Sequence, residues 1–82
     1  MEAKFWETTK DGQKLVAILT YDNGQITGKP VGNGKDILVK NILSDHVVVK
    51  GKIIKREDNP EAWFRGLPYQ YDGTYLRAGL VE

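Results

Sequence analysis

The chain has 82 residues, a formal net charge of +1 and no cysteine. A chain of this length forms one domain, 1–82, whose core is too small to surround a deep substrate cavity, and so small a net charge creates no overall field toward nucleic acid or membranes. The lack of cysteine excludes disulfides and thiolate chemistry. No apolar run suits a transmembrane helix or a secretion signal, so we expect a cytoplasmic protein without membrane contact.

The first third of the sequence predicts a three-stranded antiparallel meander. Aromatic and β-branched residues over 3–9 favour a strand, and Asp11-Gly12 is typical of a hairpin turn. Residues 15–21, LVAILTY, are apolar on both faces, which is typical of a central strand covered on both sides. A turn at 22–24 then leads to a short third strand at 25–29.

The middle of the chain begins with a loop and continues with an ambiguous segment. Residues 28–35 contain three glycines and a proline, which favour a loop. Over 36–44 most apolar residues fall on one arc when the chain turns by about 100° per residue, and this favours a helix. A strand remains the alternative, because every second residue from Ile37 would then line one face.

A β run and a short helix follow. The run covers 47–54, and Gly51 marks either a bulge or a tight turn within it. The sequence DNPE at 58–61 is a helix start, because it combines a capping side chain, proline at the first helical position and an acid near the positive end of the helix dipole. Gly66 and Pro68 are expected to end this helix after about two turns.

Asp72-Gly73 predicts another turn, and a final strand is expected over 74–81 with Leu76, Ala78 and Leu80 on one face. Together these elements predict an α+β fold. It consists of a small, mainly antiparallel β-sheet with one or two short helices packed on one face. No internal repeat or linker divides the chain.

The sequence lacks the combinations of residues that catalysis or metal binding needs. The glycine-rich loop does not fit a phosphate-binding loop, since Lys29 stands where that motif needs glycine and Asp36 where it needs a hydroxyl. His46 is the only histidine, so motifs with two histidines are excluded, and a triad would have to use the only serine, Ser44. We therefore expect no enzyme activity, cofactor or metal.

The densest basic run is formed by Lys50, Lys52, Lys55 and Arg56. Basic residues on an edge strand commonly prevent unwanted pairing with another strand, and this interpretation explains the run without any ligand. The alternative is a nucleic-acid site, in which these cations contact phosphates and nearby aromatic residues stack on bases.

Residues 63–77 hold five of the eight aromatic side chains, and two interpretations are open. Trp63 and Phe64 have the spacing of a helix face in the core. Tyr69 and Tyr71 are expected in a loop between Pro68 and the turn at Asp72-Gly73, and tyrosine with arginine on loops is typical of interaction surfaces. The candidate partner-binding residues are Tyr69, Tyr71 and Arg77. In the alternative interpretation all of these side chains belong to the core or have no binding role.

Two short segments carry a resemblance to known proteins. They are ITGKP at 26–30, and Leu67-Pro68 followed by GTYLRA at 73–78. In this pattern the chain resembles small uncharacterised proteins of archaeal, bacterial and phage genomes. The resemblance covers a minor part of the chain and implies no activity, cofactor or site residue.

The missing catalytic groups and the tyrosine-rich stretch favour a non-enzymatic interaction module that binds a protein partner or itself. The alternative is a small nucleic-acid-binding protein that uses the basic run at 50–56. Residues 47–49 are apolar on both faces, so at a sheet edge they would pair with a second copy, although the flanking lysines oppose this. We expect a weak homodimer rather than a strict monomer, held either by edge pairing at 47–49 or by docking of the Tyr69–Tyr71 loop.

Overall fold

A computed structural model describes residues 1–73 and 75–81, and its first third is the expected meander. The strands are β1 (Glu2–Thr9), β2 (Gly12–Asp22) and β3 (Gln25–Pro30), each antiparallel to the next. In the second turn Asn23 and Gly24 both have positive φ, 51° and 79°. This is the backbone geometry that matches the twist of a tight hairpin.

The chain continues from β3 into a short helical segment. α1 (Lys35–Ile37) is followed directly by a π-helical turn over Leu38–Ile42. The prediction of a helix rather than a strand is therefore confirmed, although after its first turn the helix changes from the α-helical to the π-helical hydrogen-bond pattern. The segment places the buried side chains of Leu38 and Ile42 against the sheet.

A separate two-stranded hairpin comes next. β4 (His46–Val49) pairs with β5 (Lys52–Lys55), and the turn residues Lys50 and Gly51 have φ of 51° and 81°. Gly51 thus belongs to a tight turn and not to a bulge. Only glycine adopts such a φ at no steric penalty, which explains why it stands here.

Two helices follow the hairpin. α2 (Pro60–Arg65) begins as predicted, and the side chain of Asn59 accepts a 3.1 Å hydrogen bond from the amide of Ala62. α3 (Leu67–Gln70) follows after Gly66, and Pro68 lies in its first turn. The expectation that Tyr69 lies in a loop was wrong, because proline is compatible with the first turn of a helix as well as with its end.

The last strand closes the fold. β6 (Leu76–Val81) pairs antiparallel with β1, so the main sheet has the strand order β3-β2-β1-β6. This arrangement confirms the α+β class with an antiparallel sheet. Thr74, where the sequence predicted this strand to begin, lies outside the described residues. The start of β6 at Leu76 is two residues later than predicted.

The core lies on one face of the main sheet only. Phe5 opposes Ala17 and Ala78, and all three are buried against the helices and the hairpin. Leu15 and Ile18 of β2 are only half-buried and do not join the buried cluster. The interpretation of β2 as a strand covered on both sides was therefore wrong, although β2 does lie between two other strands.

Candidate interaction surfaces

Tyr71 contributes to the packing of the core. Its ring centroid lies 5.6 Å from that of Phe5 in an edge-on arrangement at 75°, and its hydroxyl donates a hydrogen bond to the carbonyl of Asn41. Burial raises the pKa of the Tyr71 hydroxyl. These contacts leave only part of this side chain for a partner.

Tyr69 and Arg77 lie at different places from Tyr71. Tyr69 is 60% exposed on α3, and Arg77 is exposed on β6 directly opposite Trp6 of β1. Because successive strand residues point to opposite faces, Arg77 lies on the face of the sheet away from its buried neighbour Ala78. The three residues predicted to bind a partner therefore do not form one surface.

The basic run is divided between two roles. Lys50 occupies the hairpin turn, and Lys52 and Lys55 are exposed on β5. The guanidinium of Arg56 instead lies 5.5 Å from the ring centroid of the fully buried Trp63, which is a cation–π arrangement. Lys50 and Arg56 lie outside β5, which contains only 52–55, so the four residues of the basic run do not share one strand face.

The outer face of the hairpin carries an exposed aliphatic pair. Val48 opposes Ile53 in the register, and their side chains are 41% and 67% exposed. His46 opposes Lys55 two residues along, so the four residues share this face. Their inward-facing neighbours pack against the core. We define the hairpin face as His46, Val48, Ile53 and Lys55.

The free edge of β4 is occupied in its middle. The amide of Val48 donates a 3.0 Å hydrogen bond to the side-chain oxygen of Gln70 in α3. An incoming strand would have to displace Gln70 to pair at this position. This hydrogen bond therefore opposes the predicted pairing of 47–49 with a second copy, and the sequence did not reveal it.

Charged residues gather at the open end of the hairpin. The Asp45 carboxylate lies 2.9 Å from Nδ1 of His46, and this hydrogen bond lowers the pKa of Asp45. A shallow pocket beside them is lined by Asp45, Lys55, Arg56 and Glu57. Among residues 1–73 and 75–81, no group of three or more side chains could hold a metal ion.

The second face of the main sheet was not identified from the sequence, and among residues 1–73 and 75–81 no helix covers it. Trp6 lies between Leu15 and Arg77 in the register, and Lys4 lies in the adjacent row. We define the open sheet face by seven of the residues that share it, which are Lys4, Trp6, Leu15, Ile18, Lys29, Arg77 and Gly79. The available signal was alternation in β1, where Ala3 and Phe5 interleave with these residues.

Within the described part of the chain, no helix has the length and apolar character that a membrane span requires. Comparison of the chain with protein-family models, curated proteins and solved structures gives no match. The resemblance to small prokaryotic and phage proteins therefore stays a prediction.

Proposed function

We propose that the protein is a non-enzymatic interaction module that binds a protein partner through the hairpin face. The observation that carries this proposal is the direct opposition of Val48 and Ile53 on a face that no other element of the described residues covers. Isolated exposed aliphatic side chains are ordinary on protein surfaces, whereas adjacent ones are typical of contact sites. Full burial of an exposed aliphatic side chain contributes about 1.5–3 kcal/mol, so burial of the part of each side chain that is still exposed contributes roughly 1–2 kcal/mol.

The charges around this face describe the partner. Lys50 and Lys52 are exposed at the turn end of the hairpin, while Asp45 and Glu57 lie at its open end. A partner segment with apolar residues next to carboxylates would pair with the lysines at the turn. A second copy in a two-fold arrangement about the turn would bring these lysines toward each other, so charge opposes that form of self-association.

Tyr69 extends the proposed surface beyond the hairpin. It precedes Gln70, whose side chain is bonded to β4, so α3 is fixed beside the strand that carries Val48. A largely exposed tyrosine provides apolar area together with a hydroxyl, which is why this residue type is frequent in contact sites. Tyr71 follows α3 directly, and its ring contact with Phe5 of the core holds this end of α3 against the sheet.

A selection from a displayed library of random peptides tests the proposal. Enriched sequences should share apolar residues next to Asp or Glu, and titration calorimetry should show that Ile53→Lys weakens their binding at least tenfold, by about 1.4 kcal/mol or more. Val39→Lys is the matched control, since Val39 is 59% exposed on the π-helical turn. Selection without enrichment, or equal binding by the Ile53 variant, would contradict the proposed surface.

A further inference from the structure

The open sheet face combines an aromatic ring with cations in two adjacent rows. One row places Trp6 between Leu15 and Arg77. In the other row, Lys4 opposes both Ile18 and Gly79, and Lys29 lies beyond Ile18. On the face opposite the core, cations thus lie beside Trp6 on β6, two residues before it on β1, and diagonally across the sheet on β3.

Trp6 is available as a stacking platform. It is partly exposed and lies outside the buried cluster. Among residues 1–73 and 75–81, its ring has no aromatic or cationic partner, in contrast to Trp63, which Arg56 covers. An aromatic ring on an open sheet is the arrangement on which unpaired bases stack, and it accepts any base because every base has a π face.

Gly79 is a second, independent indication of a ligand. Its backbone does not need glycine, since its φ is not positive and a Cβ at this position would meet no atom within 4 Å. Glycine inside a strand weakens the strand, and one reason to keep it is the close approach of a ligand. Gly79 lies diagonally from Trp6 in the register, so the row next to the ring carries no side chain at this position.

The charges select an anionic ligand. Lys4, Lys29 and Arg77 lie nearest the platform, while the acids that the register places on this face, Glu2 and Asp22, lie farther along the strands toward its other end. We infer that the open sheet face binds single-stranded nucleic acid, with a base on Trp6 and phosphates at the three cations. This site is separate from the hairpin face. It suits a nucleic acid better than the 50–56 run does, because Arg56 of that run is engaged with Trp63.

A second copy of the chain fits this face less well. Six paired positions along β1 and four strands across give a face of roughly 400 Å² at spacings of about 3.3 and 4.8 Å. Two such faces would bury roughly 800 Å² in total, less than the ~1,200 Å² of the smaller stable interfaces. Three cations on each copy would also face each other, whereas a phosphate backbone neutralises them.

Fluorescence anisotropy with a labelled oligodeoxythymidylate tests the inference. A length of about ten nucleotides lies within the range that single binding modules cover. Neutralisation of three phosphates predicts a log–log salt slope of about −2, so affinity should fall roughly twentyfold between about 50 and 200 mM salt. Trp6→Ala should weaken binding about tenfold, as expected for loss of one stacked base. A duplex of the same length should bind more weakly, since its bases are not available.

Gly79→Val separates binding from folding. Valine is favoured in strands, so thermal unfolding should show an unchanged or higher midpoint, while the added side chain beside Trp6 should weaken oligonucleotide binding about tenfold. A matched pair of double variants compares the two basic surfaces. Lys4→Glu with Lys29→Glu should abolish binding, and Lys50→Glu with Lys52→Glu should reduce it much less.

Four results would overturn the inference. The first is absence of binding at about 25 mM salt, where phosphate contacts are strongest. The second is unchanged affinity in Trp6→Ala. The third is a larger loss of affinity in the Lys50–Lys52 double variant than in the Lys4–Lys29 double variant. The fourth is binding of poly-glutamate with the same dependence on Trp6, which would identify an acidic protein as the ligand of this face.

Discussion

Gly34 lies against the backbone carbonyl of Val16 with no room between them for a side chain. The carbonyl of Val16 accepts a 2.9 Å hydrogen bond from the amide of Val31, and the carbonyl of Val31 accepts one of 3.0 Å from the amide of Gly34. A Cβ at Gly34 would overlap the Val16 oxygen. This contact fixes where α1 begins, and therefore where Leu38 enters the core.

Gly34→Ala should destabilise the protein by about 2 kcal/mol or more, because the backbone of β2 must move to admit a methyl group. The φ of Gly34 is −80°, so the loss would be steric and not conformational. Gly79→Ala is the control, since its Cβ meets nothing, and it should be neutral or stabilising. Urea unfolding of both variants measures the difference. Equal stability would show that the loop shifts without cost.

Truncations along β2 should separate its two faces. Leu19→Ala should lower the free energy of unfolding by about 2–5 kcal/mol, since Leu19 is fully buried. Leu15→Ala and Ile18→Ala should each cost less, about 1–2 kcal/mol, because both side chains keep part of their surface exposed on the open sheet face. Chemical denaturation would contradict this assignment if all three variants lost the same stability.

Tyr71→Phe should remove the hydrogen bond to the carbonyl of Asn41 and keep the ring contact with Phe5. The expected loss is about 0.5–1.5 kcal/mol, the usual net value of such a bond. Tyr69→Phe, on exposed α3, is the matched control and should be neutral within the error of the measurement. A neutral Tyr71→Phe would mean that water replaces the bond.

Alkaline pH should weaken the fold through Tyr71. Burial raises the pKa of its hydroxyl above the unfolded value, so the folded state holds this proton more tightly. The corresponding stability is fully present below the unfolded pKa of about 10 and is lost as pH rises through the folded pKa. A hydrogen bond to Glu7 raises the pKa of Tyr75 in the same direction, so the comparison is made in a Tyr75→Phe background.

In that background, unfolding free energies measured from about pH 8 to pH 11 should fall less steeply after Tyr71→Phe is added. The pair of proteins differs in one hydroxyl, so the other titrating groups cancel. An identical pH dependence would show that Tyr71 does not ionise differently in the folded state.

Gln70→Ala should increase self-association. The substitution removes the acceptor of the Val48 amide and opens the edge of β4 to a second strand. Sedimentation should show more dimer in this variant than in the wild type, and Val48→Lys should reverse the effect. If Gln70→Ala sediments like the wild type at several hundred micromolar, a concentration that detects contacts of about −5 kcal/mol, edge pairing at 47–49 does not occur.

Local signals predicted the strands of the meander and the start of α2 from the sequence. The Asn59 cap and the Asn23-Gly24 turn depend on residues adjacent in the chain, so their chemistry is visible without the fold. Tyr75 and Leu76 were expected on opposite faces, and they are 60% and 8% exposed. Alternation along one strand was sufficient for that distinction.

The errors came from contacts between distant parts of the chain. A strand that is apolar on both faces favours burial of both. Whether its second face is covered depends on the elements that pack there, and the described helices all lie on one side of β2. Tyr71 meets Phe5 from the other end of the chain, which no local pattern shows. The importance of Trp6 became visible only when the register placed Arg77 opposite it.

Amide chemical-shift mapping with the enriched acidic peptide tests the proposed function most directly, because it reports every described surface in one titration. We predict that the largest shifts centre on His46, Val48, Ile53 and Lys55 and extend to Tyr69, while Trp6 and Arg77 stay unchanged. Shifts centred on the open sheet face, or spread evenly over the molecule, would contradict the assignment of the hairpin as the protein-binding surface.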